Sequence, residues 1–245
     1  MARTYPTAEQ AADLLDRVRE KRPRVHCLMN TVVQKFTADG ITVIGAIPSM
    51  TSSSDEIADF VSKADVLTIN LGTLDAERRN VIERAVDIAN DAGKPWILDP
   101  VHCDYSPSRL EFARTLIARR PKVVRGNRAE MALIGSLGDI VSIETGATDR
   151  ITDGGRTVTV RNGHCWMAQV TGTGCLSGGV IAAFLAAELD ALAAATAALA
   201  ATGLAAEQAA ACARGPGSFG VAFLDTLSAL APEALREGAR IDHDD

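Results

Sequence analysis

VLTINLGTLDAERRNVIERAVDIANDAGKPWILDP, residues 66–100, decides the fold class. VLTINLG (66–72) is apolar and β-branched, the composition of a buried strand. Over 75–92 the period changes. Val81, Ile82, Ala85, Val86 and Ala89 recur at helical spacing, and Gly93 suits the position just past a helix end. PWILDP (95–100) then returns to a short apolar run, closed by Pro100. The same alternation extends in both directions. Towards the N-terminus, residues 7–20 read as an amphipathic helix, with Ala11, Leu14, Leu15 and Val18 on one face. ITVIGAI (41–47) reads as a buried strand, and Ser53 with Glu56 as a capping box opening a helix to about Lys63. Towards the C-terminus come a helix over 107–120, a strand KVVRG (122–126), a short helix over 128–135 and a strand IVSIET (140–145). ITDGGRTVTVRNG (151–163) reads as a hairpin around Asp153-Gly154-Gly155. From Cys175 the pattern is helical, in three segments divided by Gly203 and by Gly215-Pro216-Gly217. Strands alternating with helices predict an α/β fold, a mostly parallel central sheet with helices on both faces. In such sheets ligands bind where the carboxyl ends of strands meet helix N-termini. No linker interrupts the pattern, and residues 1–245 are read as one domain.

Composition narrows the function. The chain has 245 residues, 47% apolar and 23% charged, enough to bury a full core. Its net charge is −6 and no block of Lys and Arg occurs, which argues against a nucleic-acid partner. The five cysteines, Cys27, Cys103, Cys165, Cys175 and Cys212, are widely spaced with no C-x-x-C pair. They predict neither a disulfide framework nor a zinc site, and so a reducing cytoplasmic setting. The histidines, His26, His102, His164 and His243, share no metal-ligand spacing. The N-terminal stretch is charged and lacks the apolar core of a signal peptide. The Ala-rich stretch over roughly 180–213 is interrupted by Glu188, Asp190, Thr196, Thr202, Gly203 and Glu207, and reads as two buried helices instead of a membrane span.

The strongest local signal is Val170-Thr171-Gly172-Thr173-Gly174-Cys175. A glycine-rich turn running into a helix gathers backbone N–H groups and the positive end of the helix dipole at one point, which suits phosphate. It equally suits a tight loop closing a helix onto a sheet. It is not a Walker A loop, since no Gly-Lys-Ser/Thr follows. Cys175 falls at that helix start, where the dipole lowers a thiol's pKa, and reads as a base, a nucleophile or a small packed thiol. Asp99, Arg125 and Glu130 fall at successive strand tips. Together they would suit Mg²⁺ and a triphosphate, and singly they read as caps or surface charges.

These pieces lie in the order of a known family. Residues 25–74, with LDPV (98–101), VVRGNRAEM (123–131), VTGTGC (170–175) and GPGSFGVAFLDTL (215–227), resemble the hydroxyethylthiazole kinases. The resemblance implies a ribokinase-like fold, with transfer of the ATP γ-phosphate to 4-methyl-5-(2-hydroxyethyl)thiazole in thiamine salvage. It implies Mg²⁺ as cofactor and a homotrimer with sites between subunits. Carried over by motif, Met50 and Gly172 would contact the thiazole. Arg125 and Thr145 would hold ATP phosphates, and Asp99 and Glu130 would serve Mg²⁺. Cys175 would stand where related sugar kinases place an Asp base. Three features depart from the pattern: Cys27 replaces an Asn, HCDYS (102–106) replaces a glycine-rich loop, and the segment between Met131 and Ile140 is short. A pyrimidine-alcohol kinase, an ATP-dependent repair lyase of the same fold, or a non-catalytic thiazole- or nucleotide-binding paralogue are the alternatives.

Overall fold

Thr7 opens the first helix with a reciprocal cap. Its hydroxyl accepts the Gln10 N–H, the Gln10 side chain accepts the Thr7 N–H, and α1 (Ala8–Lys21) follows. The computed structural model describes residues 4–243. After α1 the chain alternates: β1 (Arg24–Leu28), α2 (Gln34–Val43), β2 (Ile47–Ser49), α3 (Ile57–Lys63), β3 (Val66–Asn70), α4 (Ala76–Asp91), β4 (Trp96–Asp99), α5 (Pro107–Ile117), β5 (Val123–Asn127), α6 (Arg128–Ile134) and β6 (Val141–Thr145). The hairpin of β7 (Asp149–Thr152) and β8 (Thr157–Val160) comes next. Four helices, α7 (Thr173–Ala187), α8 (Ala191–Cys212), α9 (Pro216–Ala229) and α10 (Pro232–Gly238), and a last strand β9 (Ile241–His243) complete the described chain.

Among the described residues the strands form one sheet in the order β2-β1-β3-β4-β5-β6-β7-β8-β9. Every pairing from β2 across to β6 is parallel, and the pairings from β6 to β9 are antiparallel. Neighbouring residues on each central strand point to opposite faces, as the pleat requires. Ile97 and Val123 join the core under α1, α7 and α8, while Leu98 and Val124 join the core under α3, α4 and α5. The sheet is therefore covered on both sides, as the alternating pattern predicts. No helix among the described residues is long and apolar enough to cross a membrane.

Three local expectations are corrected. ITVIGAI (41–47) is not a strand. Ile41 lies in α2, and only Ile47 reaches β2. A short apolar run reads alike as strand or buried helix. Packing decides here, because α2 lies flush on α7: a methyl group at Gly40 would meet Leu176 Cγ at 2.4 Å, and one at Gly179 would meet Ile41 Cδ1 at 2.8 Å. Ser53 and Glu56 do not form a capping box. The helix starts at Ile57, the Ser53 hydroxyl accepts the Asp55 N–H, and the Glu56 carboxylate accepts the Thr51 hydroxyl. Gly203 does not divide the helices. The break comes at 188–190, where the Asp190 carboxylate accepts the Leu192 and Ala193 N–H groups and starts α8. Gly203 sits within α8 because the Asn162 backbone crosses there, its carbonyl oxygen 2.5 Å from where a methyl group would stand.

The crossover from β5 to β6 is short. Parallel strands need a crossover, and here a seven-residue helix and a brief loop supply it. The residues of β6 and β7 beside that loop, Ser142, Glu144, Arg150 and Thr152, are polar and line a shallow pocket with Leu137 and Gly154.

Candidate functional site

Parallel strands β3, β4, β5 and β6 end side by side, with Asn70 in register with Asp99 and Asn127 with Thr145. Helix α7 begins directly above these ends. Its N-cap is Gly172, with φ +99, a left-handed conformation that favours glycine. The first turn of any α-helix leaves its N–H groups without intrahelical acceptors, so α7 aims donors at the strand tips.

Asp99, Arg125, Asn70 and Cys175 meet there. Arg125 Nη1 donates to Asp99 Oδ2 at 3.0 Å, and Asn70 Nδ2 donates to the same oxygen at 3.2 Å and to Cys175 Sγ at 3.3 Å. The Val101 N–H donates to Asp99 Oδ1 at 3.3 Å. Arg125 also lies against α7, since a methyl group at Gly174 would stand 2.9 Å from its Nη2. Its Nε is buried without a hydrogen-bond partner. A fixed cation and a helix N-terminus thus face one volume, the combination that holds phosphate. Burial raises the Asp99 carboxyl above its ordinary pKa, against the pull of Arg125.

Cys175 reverses one expectation. Burial, helped by Asp99, pushes its thiol up to about 11, although Arg125 and the Asn70 amide oppose the shift. The helix start does not outweigh burial beside a carboxylate. Cys175 is therefore a neutral thiol near pH 7.

Glu130 is built in twice. Its Oε2 accepts the Asn127 N–H at 2.7 Å, completing a capping box on α6, and its Oε1 accepts the His102 N–H at 2.6 Å. It is 5% exposed and adds to the rise of Asp99. Thr145 ends β6, and its hydroxyl donates to the Gly126 carbonyl at 3.2 Å. Sequence reading missed Asn70, Asp149 and Arg78. Asn70 stands at a strand tip as Asp99 does, and that signal was present. Asp149 accepts the Gly146 N–H at 3.0 Å and is raised by burial while Arg125 pulls it down. Arg78 is buried and donates to the carbonyls of Met29 at 2.6 Å and Asn70 at 3.1 Å, tying the ends of β1 and β3 together.

Met50 follows β2 and packs half-buried against the core of α1, α7 and α8. It lies across β1 from the tip of β3 that carries Asn70. His26 sets its loop. Nε2 donates to the Thr51 carbonyl at 3.1 Å, which leaves Nδ1 to accept the Ser49 hydroxyl at 2.9 Å. Burial lowers the His26 pKa to about 4. Gly172 backs onto Val33 and Phe36, and Phe36 continues into an open groove with Val32, Val170, Val221 and Leu224.

The pattern of the hydroxyethylthiazole kinase family matches residues 15–139 and 136–233. The chain belongs to the hydroxyethylthiazole kinase family. A probable hydroxyethylthiazole kinase of Agrobacterium fabrum is 66% identical over 244 residues, covering 100% of this chain and 99% of that one. A hydroxyethylthiazole kinase of Granulibacter bethesdensis is 42% identical over 258 residues, covering 95% and 94%. The solved structure of a hydroxyethylthiazole kinase protein from Pyrococcus horikoshii matches with TM-score 0.92 at 34% identity, covering 96% and 99%. A ribokinase-like superfamily protein from Enterococcus faecalis matches with TM-score 0.67 at 14% identity, covering 95% and 100%, and shares the fold. The ribokinase-like architecture is therefore as the resemblance implied. The two family segments meet at 136–139, inside the short α6–β6 crossover. The 258-residue match to the Granulibacter relative is longer than this chain, so the two sequences differ by a gap. The Agrobacterium relative aligns at this chain's own length.

Proposed function

We propose that the chain transfers the γ-phosphate of ATP to the hydroxyl of 4-methyl-5-(2-hydroxyethyl)thiazole, a step in thiamine salvage, and works with Mg²⁺ as a cytoplasmic homotrimer. One observation carries the reading: Arg125, Asp99 and Cys175 converge on the N-terminus of α7, at the carboxyl ends of parallel strands. Phosphoryl transfer needs in-line positioning and neutralised oxygens more than covalent help. Arg125 is the fixed cation, held by Asp99. The first turn of α7 supplies N–H donors to the transferring group. Thr145, at the neighbouring strand tip, would hold a further phosphate oxygen. Gly172 and Met50 border the thiazole.

Asp99 and Glu130 fit a hard divalent cation. Each accepts N–H donors, yet a carboxylate has about four lone-pair sites, so both keep capacity to hold a cation directly or through its waters. A cation held by Asp99 and Glu130 would supply positive charge to the phosphates. Cys175, neutral near pH 7, acts as a polar neighbour of the acceptor hydroxyl and not as a strong base. A loose transition state tolerates this, because the alcohol keeps its proton until late. The apolar groove beside Gly172 favours an assembly in which a second subunit covers it. ADP release measured with and without the thiazole alcohol tests the reading, and thiazole-dependent release is expected. A thermal shift with the thiazole but no ADP release would replace it with the non-catalytic binding reading.

A further inference from the structure

On the function proposed above, we infer that Asn70 is a positioning residue for the transfer: its side-chain amide donates to the Cys175 sulfur, which leaves the thiol proton to be donated to the acceptor alcohol. Asn70 ends β3, 1% exposed, in register with Asp99 on β4. A buried amide is costly unless it is paired, and both N–H groups and the oxygen of this one are. Oδ1 accepts the Gly72 N–H at 3.1 Å, and that fixes which way the amide points. Nδ2 then faces α7, with one N–H reaching Asp99 Oδ2 at 3.2 Å and the other Cys175 Sγ at 3.3 Å. The backbone beneath is held as well. Arg78 Nη2 donates to the Asn70 carbonyl at 3.1 Å, and a methyl group at Gly72 would stand 2.5 Å from Asn30 Nδ2.

The bond to sulfur has a direction. An amide N–H only donates, so Cys175 accepts through a sulfur lone pair. A thiol has one proton, and here it must point away from Asn70. Among the described residues Cys175 has no second hydrogen-bond partner, and it is only half-buried at the start of α7. The S–H is therefore presented to the volume that Arg125 and the α7 N–H groups face. Donated to the alcohol oxygen, it occupies one lone pair and leaves the other aimed at phosphorus. That oxygen forms the bond to the γ-phosphorus. The bond from phosphorus to the bridging oxygen breaks, its electron pair leaving on ADP, and the alcohol proton passes to the transferred phosphoryl group. Cys175 keeps its own proton throughout.

Binding measures this without turnover. The probes are the thiazole alcohol and 4-methyl-5-ethylthiazole, which lacks the hydroxyl, each titrated calorimetrically into the full chain. The parent should prefer the alcohol. Asn70→Ala and the volume-conserving Asn70→Leu should each cut that preference about three- to tenfold, the worth of one hydrogen bond between neutral groups, and lower kcat in step. Cys175→Ala should do the same, and adding Asn70→Ala to it should cost no more, because Asn70 acts through Cys175. Cys175→Ser still accepts from Asn70 and donates its own proton, and should keep the preference to within about twofold. A merely structural Asn70 would weaken both probes alike and leave their ratio unmoved, which overturns the inference. Additive losses in the double variant overturn it too, and so does full preference in Cys175→Ala, a result that needs no Asn70 variant to fold. A parent that binds neither probe overturns the proposed function as well, whereas a parent that binds and variants that keep its preference overturn the inference alone.

Discussion

Arg125 contacts the buried carboxylate of Asp99 and has the half-buried Asp149 within electrostatic reach. In the proposed function Arg125 is the fixed cation for a phosphate, and Arg125→Ala removes it and leaves Asp99 with Asn70 and a backbone N–H among its described partners. The charge-assisted bond to ATP is worth about 1.5–3 kcal/mol, so kcat/KM for ATP should fall roughly ten- to a hundredfold. Steady-state kinetics of the folded variant check this, and unchanged ATP kinetics would remove Arg125 from the site. His26 gives a pH prediction. Its pKa is about 4 in the fold and 6.5 in the unfolded chain. Above pH 6.5 neither state binds the proton, so no stability is lost. Between pH 6.5 and 4 the unfolded chain takes a proton that the fold refuses, and stability falls, by about 3 kcal/mol across that window. A His26→Gln variant should lose less stability over the same range, measured as melting temperature against pH for both proteins. Equal slopes would mean that His26 is not buried neutral.

At the scale of elements, glycines decide how closely helices approach. In α8, Gly203 faces the Asn162 backbone, which cannot step aside as a flexible side chain would. Gly203→Ala should therefore cost about 1–3 kcal/mol, the usual penalty for overpacking. In α7, Gly178 has open space where a methyl group would go. Gly178→Ala should gain up to about 1 kcal/mol from helix propensity and raise the melting temperature by about 2–4 °C. Thermal melts of the two variants should move in opposite directions. A shared direction would mean that propensity, or packing, acts alone. The short α6 crossover works differently. It leaves the adjoining face of β6 and β7 to Ser142, Glu144, Arg150 and Thr152, side chains that tolerate water.

At the scale of the molecule, the groove between α2 and α9 presents apolar surface to solvent, with Val32 71% exposed and Val221 66% exposed. Such surface is what the proposed subunit interface would cover. Val221→Asp places a charge there without touching the core, and should shift the proposed oligomer to monomer and lower activity in parallel. Sedimentation and activity over a dilution series measure both. A fully active monomeric variant would separate the site from the assembly.

Much of this architecture was legible in the chain. The change of period within residues 66–100 announced strand, helix and strand, because a half-turn repeat and a 3.6-residue repeat bury different positions. The amphipathic helix over 7–20, the stop at Gly93 and the hairpin at Asp153-Gly154-Gly155 are local patterns, and local patterns are written in sequence. Strand tips also drew attention to Asp99 and Arg125, though their 3.0 Å contact joins residues on different strands. Tertiary structure alone decided three things. It made Ile41 helical, because Gly40 and Gly179 let α2 lie flush on α7. It carried α8 through Gly203, because the Asn162 backbone needed the room. It raised the Cys175 thiol, because burial beside Asp99 outweighs a helix start. In each case the deciding neighbour is distant in sequence, and no periodicity or spacing encodes which distant atoms will arrive.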